Sequence, residues 1–231
     1  MREHRAAVVP AAVASAAVAL VLHGLFLRPR MLTWGATSEE AARSYPGDEL
    51  IPGADSGSTM ATTLPAPPSK VWPWLVQMGC DRGGWYSWDR LDNGGRPSAE
   101  SIVPEWQNPA VGQRIASVPS GRAWFTVAVL VPERTLVLRD DTSVPSGRPF
   151  DPTEGRAPGA FVSSVWGFHL EPAGPNTRLV VRTHGRSCPR VLTRPIDLLF
   201  WEPAHFVMQT RQFHNLRARL RRAVTGHPGR P

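Results

Sequence analysis

Asp89, Glu105 and Tyr86 are the side chains that proton-transfer chemistry would use in this sequence. A carboxyl group facing an apolar cavity has a raised pKa and can act as a general acid, and a phenol beside it can share the proton. Such acids more commonly cap helices or pair with a neighbour, and Arg90 and Arg114 are in range of that use. His169 falls in opposite strand phase to Phe168, and His184 and Arg182 in opposite phase to Leu179 and Val181, so all three read as surface residues. His205 and His214 are not spaced i, i+4, and His184 with Cys188 lacks further ligands, so no metal site is expected. Nucleophile-elbow, phosphate-loop and dinucleotide-turn patterns are all missing, so no cofactor is implied.

The aromatic residues suggest a different chemistry, burial of an apolar ligand. Nine Trp is a heavy load for 231 residues. Trp85, Tyr86 and Trp88 follow Gly83-Gly84 and offer large apolar faces with polar handles. Trp166 and Phe168 share one strand face, and Trp74 and Met78 share one helix face with Val71 and Leu75. With Trp106, Phe206 and Phe213, these form the candidate lining of a ligand cavity: Trp74, Met78, Trp85, Trp88, Trp106, Trp166, Phe168, Phe206 and Phe213. The competing use of the same residues is to plug that space as core.

The elements that must position them follow from periodicity. Ser58–Leu64 reads as a strand stopped by Pro65, Pro67 and Pro68. A short helix follows from Ser69 to Gly79. A second helical piece covers Ser87–Leu91. After Pro109 the period becomes two, giving strands over Gln113–Ser117, Ala123–Val131, Arg134–Arg139, Phe161–Glu171 and Thr177–Gly185. Residues 142–159 read as a long loop. Pro203 suits the first turn of a final helix, in which Phe206, Phe213, Leu216, Leu220 and Val224 form one stripe. This order predicts an α+β fold, a curved antiparallel sheet with a long C-terminal helix across it. A strongly curved sheet cannot fill its own concave face, so such a fold tends to enclose an apolar cavity.

Charge is uneven along the chain. Of the formal +7, residues 1–30 carry +3 and residues 211–231 carry +6, leaving the body at −2. A near-neutral body with basic ends fits a membrane surface better than a nucleic-acid groove, and no nucleic-acid partner is expected. The 22 residues Ala6–Leu27 are uncharged and flanked by arginines; as a helix they would reach roughly 33 Å, enough to cross a bilayer core. An uncleaved anchor is favoured over a signal peptide cut near Ala17-Val18-Ala19, because LVLHGLFL would make an apolar mature N-terminus. Arginines at both ends leave the orientation open. A cytoplasmic or secreted location is the alternative. The expected organisation is a hydrophobic helix over 1–30, an irregular lead-in over 31–57, a globular domain over 58–224 and a disordered tail over 225–231. Cys80 and Cys188 do not make a disulfide framework.

Four stretches resemble the START/polyketide-cyclase (SRPBCC) superfamily: Ala66–Leu75; Gln77-Met78-Gly79 with Arg82–Asp89; Ile102–Gln107 with Val111-Gly112-Gln113; and Thr33–Thr37 with Pro46-Gly47-Asp48. The second and third look like an uncharacterised bacterial branch. The resemblance implies a helix-grip fold over roughly 31–224. It also implies binding of a hydrophobic small molecule such as a lipid, isoprenoid or polyketide, with membrane lipid as the neighbouring partner. In some members the same cavity serves a cyclase or dehydratase. The superfamily shares no single catalytic motif, so no catalytic residue carries over. A filled-core membrane-associated interaction domain is the third reading.

Overall fold

A computed structural model of the chain describes residues 23–152, 154 and 157–225. All but the last five residues of the apolar stretch Ala6–Leu27, and the tail beyond Thr225, lie outside the described residues.

Six strands form one antiparallel sheet: β1 (Ser56–Leu64), β2 (Arg114–Ala116), β3 (Trp124–Val131), β4 (Thr135–Ser143), β5 (Phe161–Ala173) and β6 (Asn176–Cys188), in the order β1-β6-β5-β4-β3-β2. Tight turns at Pro132-Glu133 and Gly174-Pro175 join β3 to β4 and β5 to β6; Gly174 takes φ 61°, a conformation that costs glycine little. A register shift between Val127 and Val129 bends β3 against β4. Strands β4, β5 and β6 run past the ends set by the apolar alternation, because polar residues such as Asp140 and Ser187 continue the ladder.

Between β1 and β2 the chain crosses from one sheet edge to the other. On the way it forms α3 (Pro68–Val76), α4 (Asp89–Asp92) and a turn of 3-10 helix at Pro104–Trp106. At the end, α5 (Arg190–Ile196), a π turn (Asp197–Trp201) and α6 (Glu202–Thr225) follow without a break. The final helical segment thus begins before Pro203, which sits within the first turn of α6, where its missing N–H costs little. Phe213, Leu216 and Leu220 of α6 are buried against the concave sheet face with Met60, Leu136, Leu138, Phe168, Leu179 and Val181. Each such side chain contributes about 1.5–3 kcal/mol when removed from water.

The lead-in departs most from expectation. It contains α1 (Arg28–Leu32), α2 (Ser38–Ala42, started by a Thr37/Glu40 capping box) and a 3-10 turn at Asp48–Leu50. It covers the other face of the sheet: Tyr45 packs on Ala61 and Val180, and Ile51 on Val137 and Val165. Arg178 pairs with Glu40 (2.7 Å) and Arg182 with Asp48 (3.1 Å). The strand residues that alternate as a wet face are therefore partnered by the lead-in. His169 is a correction of this kind. It does point away from the helix, yet it is buried beneath Tyr45, with ring centroids 4.7 Å apart.

Among the described residues no helix is long and apolar enough to cross a membrane.

Candidate functional site

The sheet register arranges the concave face in rows. The first, Leu136–Phe168–Val181–Met60, is wholly apolar and at most 1% exposed. The next, Leu138–Trp166–Thr183–Ser58, is mixed. The third, Asp140–Ser164–Gly185–Ser56, and the fourth, Thr142–Val162–Ser187, are mostly polar. Trp166, Asp140, Ser164, Thr142, Val162 and Ser187 are all half-buried. The concave face thus changes from sealed and oily under the C-terminal half of α6 to polar and partly open near its start.

Short polar contacts order this open end. Thr142 Oγ1 donates to Asp140 Oδ1 at 2.8 Å, and the Ser58 and Thr183 hydroxyls are 2.8 Å apart. Trp166 Nε1 donates to Gln209 Oε1 (3.2 Å), Gln209 Nε2 to Gln212 Oε1 (2.8 Å) and Gln212 Nε2 to the Trp85 carbonyl (2.8 Å). These glutamines lie on the inward stripe of α6, one and two turns after His205. The His205 ring stands edge-on to Trp166, with centroids 6.3 Å apart. His205 as a residue is half-buried, while its Nε2 is fully buried without a hydrogen-bond partner among the described residues. Burial lowers its pKa to about 4, so the ring is neutral at physiological pH. Asp140 is perturbed in the opposite sense. Burial raises its carboxyl to about 6, against the lowering effect of the Thr142 bond, with Asp141 adding a smaller upward push. A carboxyl near its titration point and a neutral imidazole can accept or donate hydrogen bonds to a polar head group, or relay a proton.

Most of the residues singled out from the sequence lie deeper. Trp74, Met78, Trp85, Phe168 and Phe213 belong to the sealed core, with Trp166 and Phe206 half-buried at its border. Trp85, Phe125 and Trp166 meet at ring-centroid distances of 5.5–5.9 Å, so the space beneath α6 holds packed rings. Trp106 is half-buried in the Pro104–Trp106 turn. Trp88 is exposed, with the Arg211 guanidinium over its ring at 4.7 Å.

The three acid–base candidates occupy structural positions. Asp89 accepts from the Ser98 hydroxyl (2.5 Å) and backbone N–H (3.1 Å), fixing the loop after α4. Glu105 is exposed. Tyr86 is fully buried; its hydroxyl accepts from Gln77 Nε2 at 2.8 Å, and burial pushes its pKa up. The structure brings none of them to the open end of the concave face. What it places there is Asp140, Thr142 and Ser164, with His205 and the buried Gln209 against Trp166 at its border, none of them among the candidates drawn from the sequence. The signal for Asp140 is its phase: it continues the inward alternation of Leu136 and Leu138, one residue past the point where that strand was expected to end. His205, Gln209, Gln212 and Leu216 fall at i, i+4, i+7 and i+11, a helical stripe easily overlooked because three of its members are polar.

A shallow, open recess of about 380 Å³ lies elsewhere, on the lead-in between Thr33 and Ala42. Thr33, Ala36, Thr37, Ser38, Ala41 and Ala42 line it and supply no ionisable group.

No family model matches the chain, and no curated protein matches it. Among solved structures it is similar to a crystal structure of a protein from Mesorhizobium loti (19% identity, covering 72% of this chain and 98% of that one, TM-score 0.42). It is also similar to a solution structure of a protein from Arthrobacter aurescens (14% identity, 74% and 92% covered, TM-score 0.41). A third similar structure is a crystal structure of a protein from Mycobacterium smegmatis (11% identity, 70% and 88% covered, TM-score 0.40).

Proposed function

We propose that the chain is a START/polyketide-cyclase-type domain, held at a membrane by Ala6–Leu27, that binds an amphipathic small molecule at the open end of its concave face. The observation that carries this reading is the change along the sheet from sealed apolar rows to half-buried polar ones. An apolar ligand body would lie against Trp166, Val162 and Phe206, while the Asp140 carboxyl would accept from its hydroxyl group and the His205 ring, edge-on to Trp166, would border the site. Removing about 300 Å² of ligand apolar surface from water would contribute ~7 kcal/mol before the costs of ordering. The packed rings of Trp85, Phe125 and Trp166 would form the floor of the site.

Asp140 also favours a second reading, a cyclase or dehydratase in which its carboxyl passes a proton to the bound molecule. In that case Asp140→Asn would keep the ligand and lose turnover.

Native mass spectrometry of the full chain, purified without added lipid, tests the binding. An apolar mass should accompany the chain, and Ser164→Phe, which fills the third row, should remove that mass while leaving the circular dichroism unchanged. A chain that neither retains such a mass nor takes one up from a panel of lipids would be a filled-core interaction domain instead.

A further inference from the structure

The helical segment that precedes α6 turns its apolar side chains outward. Val191, Leu192 and Ile196 of α5 and Leu199, Phe200 and Trp201 of the π turn are each 52–78% exposed. The other side of the same segment is engaged with the protein: Thr193 is buried and its hydroxyl lies 2.6 Å from that of Ser187. Glu202, at the junction with α6, binds Arg194 (3.1 Å) and Arg28 (2.6 and 2.9 Å). The Arg28 contact holds the start of the described chain beside this patch, and there Leu25, Phe26 and Leu27 are exposed as well. A contiguous apolar patch on a folded surface, unlike scattered single residues, marks a contact surface.

Two observations identify the occupant. The first is chain continuity, since Leu25–Leu27 end the 22-residue uncharged stretch that begins at Ala6. The second is charge. Arg28, Arg30, Arg186, Arg190 and Arg194 lie in this segment and the chain beside it, against Asp55, Asp197 and Glu202 among the described residues; Glu202 pairs with Arg28 and Arg194 and Asp55 with Arg190, which leaves an excess of positive charge that complements an anionic lipid surface. Trp201, with an apolar body and a polar N–H, suits the depth where headgroups meet acyl chains.

We propose that this face docks on an anionic lipid bilayer, with α5 and the π turn lying in the interface and Leu199, Phe200 and Trp201 dipping below the headgroups. The chain would then touch the membrane at two places, its N-terminal stretch and this segment. The Ser187–Thr193 contact joins the segment to the fourth row of the concave face. Docking would therefore bring the fourth row near the lipid. The surface stands whether or not the concave face holds a ligand.

The test uses the full chain with Cys188→Ser, which leaves only the buried Cys80. A nitrobenzoxadiazole label is placed at Leu199→Cys or, as control, at Val111→Cys, an exposed site just before β2 at the far sheet edge. On vesicles of equimolar phosphatidylcholine and phosphatidylglycerol, emission from position 199 should shift to the blue and be quenched by lipids brominated in the acyl chain. Position 111 should do neither. Equal emission at the two sites on vesicles that carry the protein would overturn the proposal, leaving the N-terminal stretch as sole tether. A blue shift at 199 before lipid is added would also overturn it; dependence on protein concentration would identify a second copy as the occupant, and independence the chain's own residues. A failure of either kind leaves the ligand mass of the unchanged chain as it was, so the two proposals fail separately.

Discussion

Asp140→Asn separates what the open end of the concave face costs from what it does. The aspartate carboxyl has an ordinary pKa of 3.8 and is raised to about 6 in the fold. Below pH 3.8 it is protonated folded or unfolded, and its contribution to stability is at its most favourable. As pH rises from 3.8 through 6 the unfolded chain ionises first, and that contribution is lost. The shift corresponds to about 3 kcal/mol at most, and solvent screening of a half-buried group reduces this to about 1–2 kcal/mol. Asparagine keeps the acceptor for Thr142 and removes the charge. The variant should therefore be more stable than the unchanged chain at pH 7.5 by about 1–2 kcal/mol, a rise of roughly 2–8 °C in Tm. The advantage should shrink steadily as pH falls and vanish below pH 4. Urea unfolding followed by circular dichroism across that range measures it. A variant that is no more stable at pH 7.5, or whose advantage does not depend on pH, would refute the placement of Asp140 in a desolvated site. A variant that gains stability and retains both the ligand and any turnover undiminished would locate the polar head elsewhere.

Three further outcomes are expected. His169 is buried neutral, its pKa lowered by burial from 6.5 to about 4. The unfolded chain takes up the proton first, so the contribution of this ring to stability should fall by about 3 kcal/mol as pH drops from 6.5 to 4. His169→Leu should change the slope of the urea-unfolding profile over that range by this amount, the contributions of His205 and Asp140 remaining; an unchanged slope would contradict the buried neutral ring. Arg178→Ala strips Glu40 of the partner that holds its carboxyl down at about 2, and should cost roughly 1–3 kcal/mol at pH 7, a loss that fades as pH falls below 4.5. The same variant should make the lead-in a preferred site in limited proteolysis, and resistance equal to the unchanged chain would show that the ion pair does not hold it. Gly35 has φ +72° and sits so close to β1 that a Cβ would lie 2.2 Å from the Ala61 carbonyl oxygen. Gly35→Ala should therefore destabilise by roughly 3 kcal/mol; thermal unfolding checks this, and a neutral effect would mean the lead-in docks otherwise.

The order of the six strands and the final helix is legible in the residues alone. Alternation in β3 to β6, the stop at Pro65–Pro68 and the apolar stripe of α6 are local properties, and each strand and helix carries its own period. The sequence also told which positions share a face in the last two strands, since Trp166 and Phe168 fall opposite His169, and Leu179 and Val181 opposite Arg178 and Arg182. It did not tell what lies over the other face. Arg178, Arg182 and His169 have the pattern of solvent-facing residues, yet Glu40, Asp48 and Tyr45, more than a hundred residues away in sequence, cover them. Nor did it separate core from site: Trp85 and Trp166 look alike as a large aromatic side chain, and only the packing seals one and leaves the other half-open. Asp140 and His205 became visible as a pair of candidates only once strand register and helix placement set them along one concave face. Periodicity reports which way a side chain points from its own element, whereas burial and pKa depend on which distant element closes over it, and that is decided by the tertiary structure.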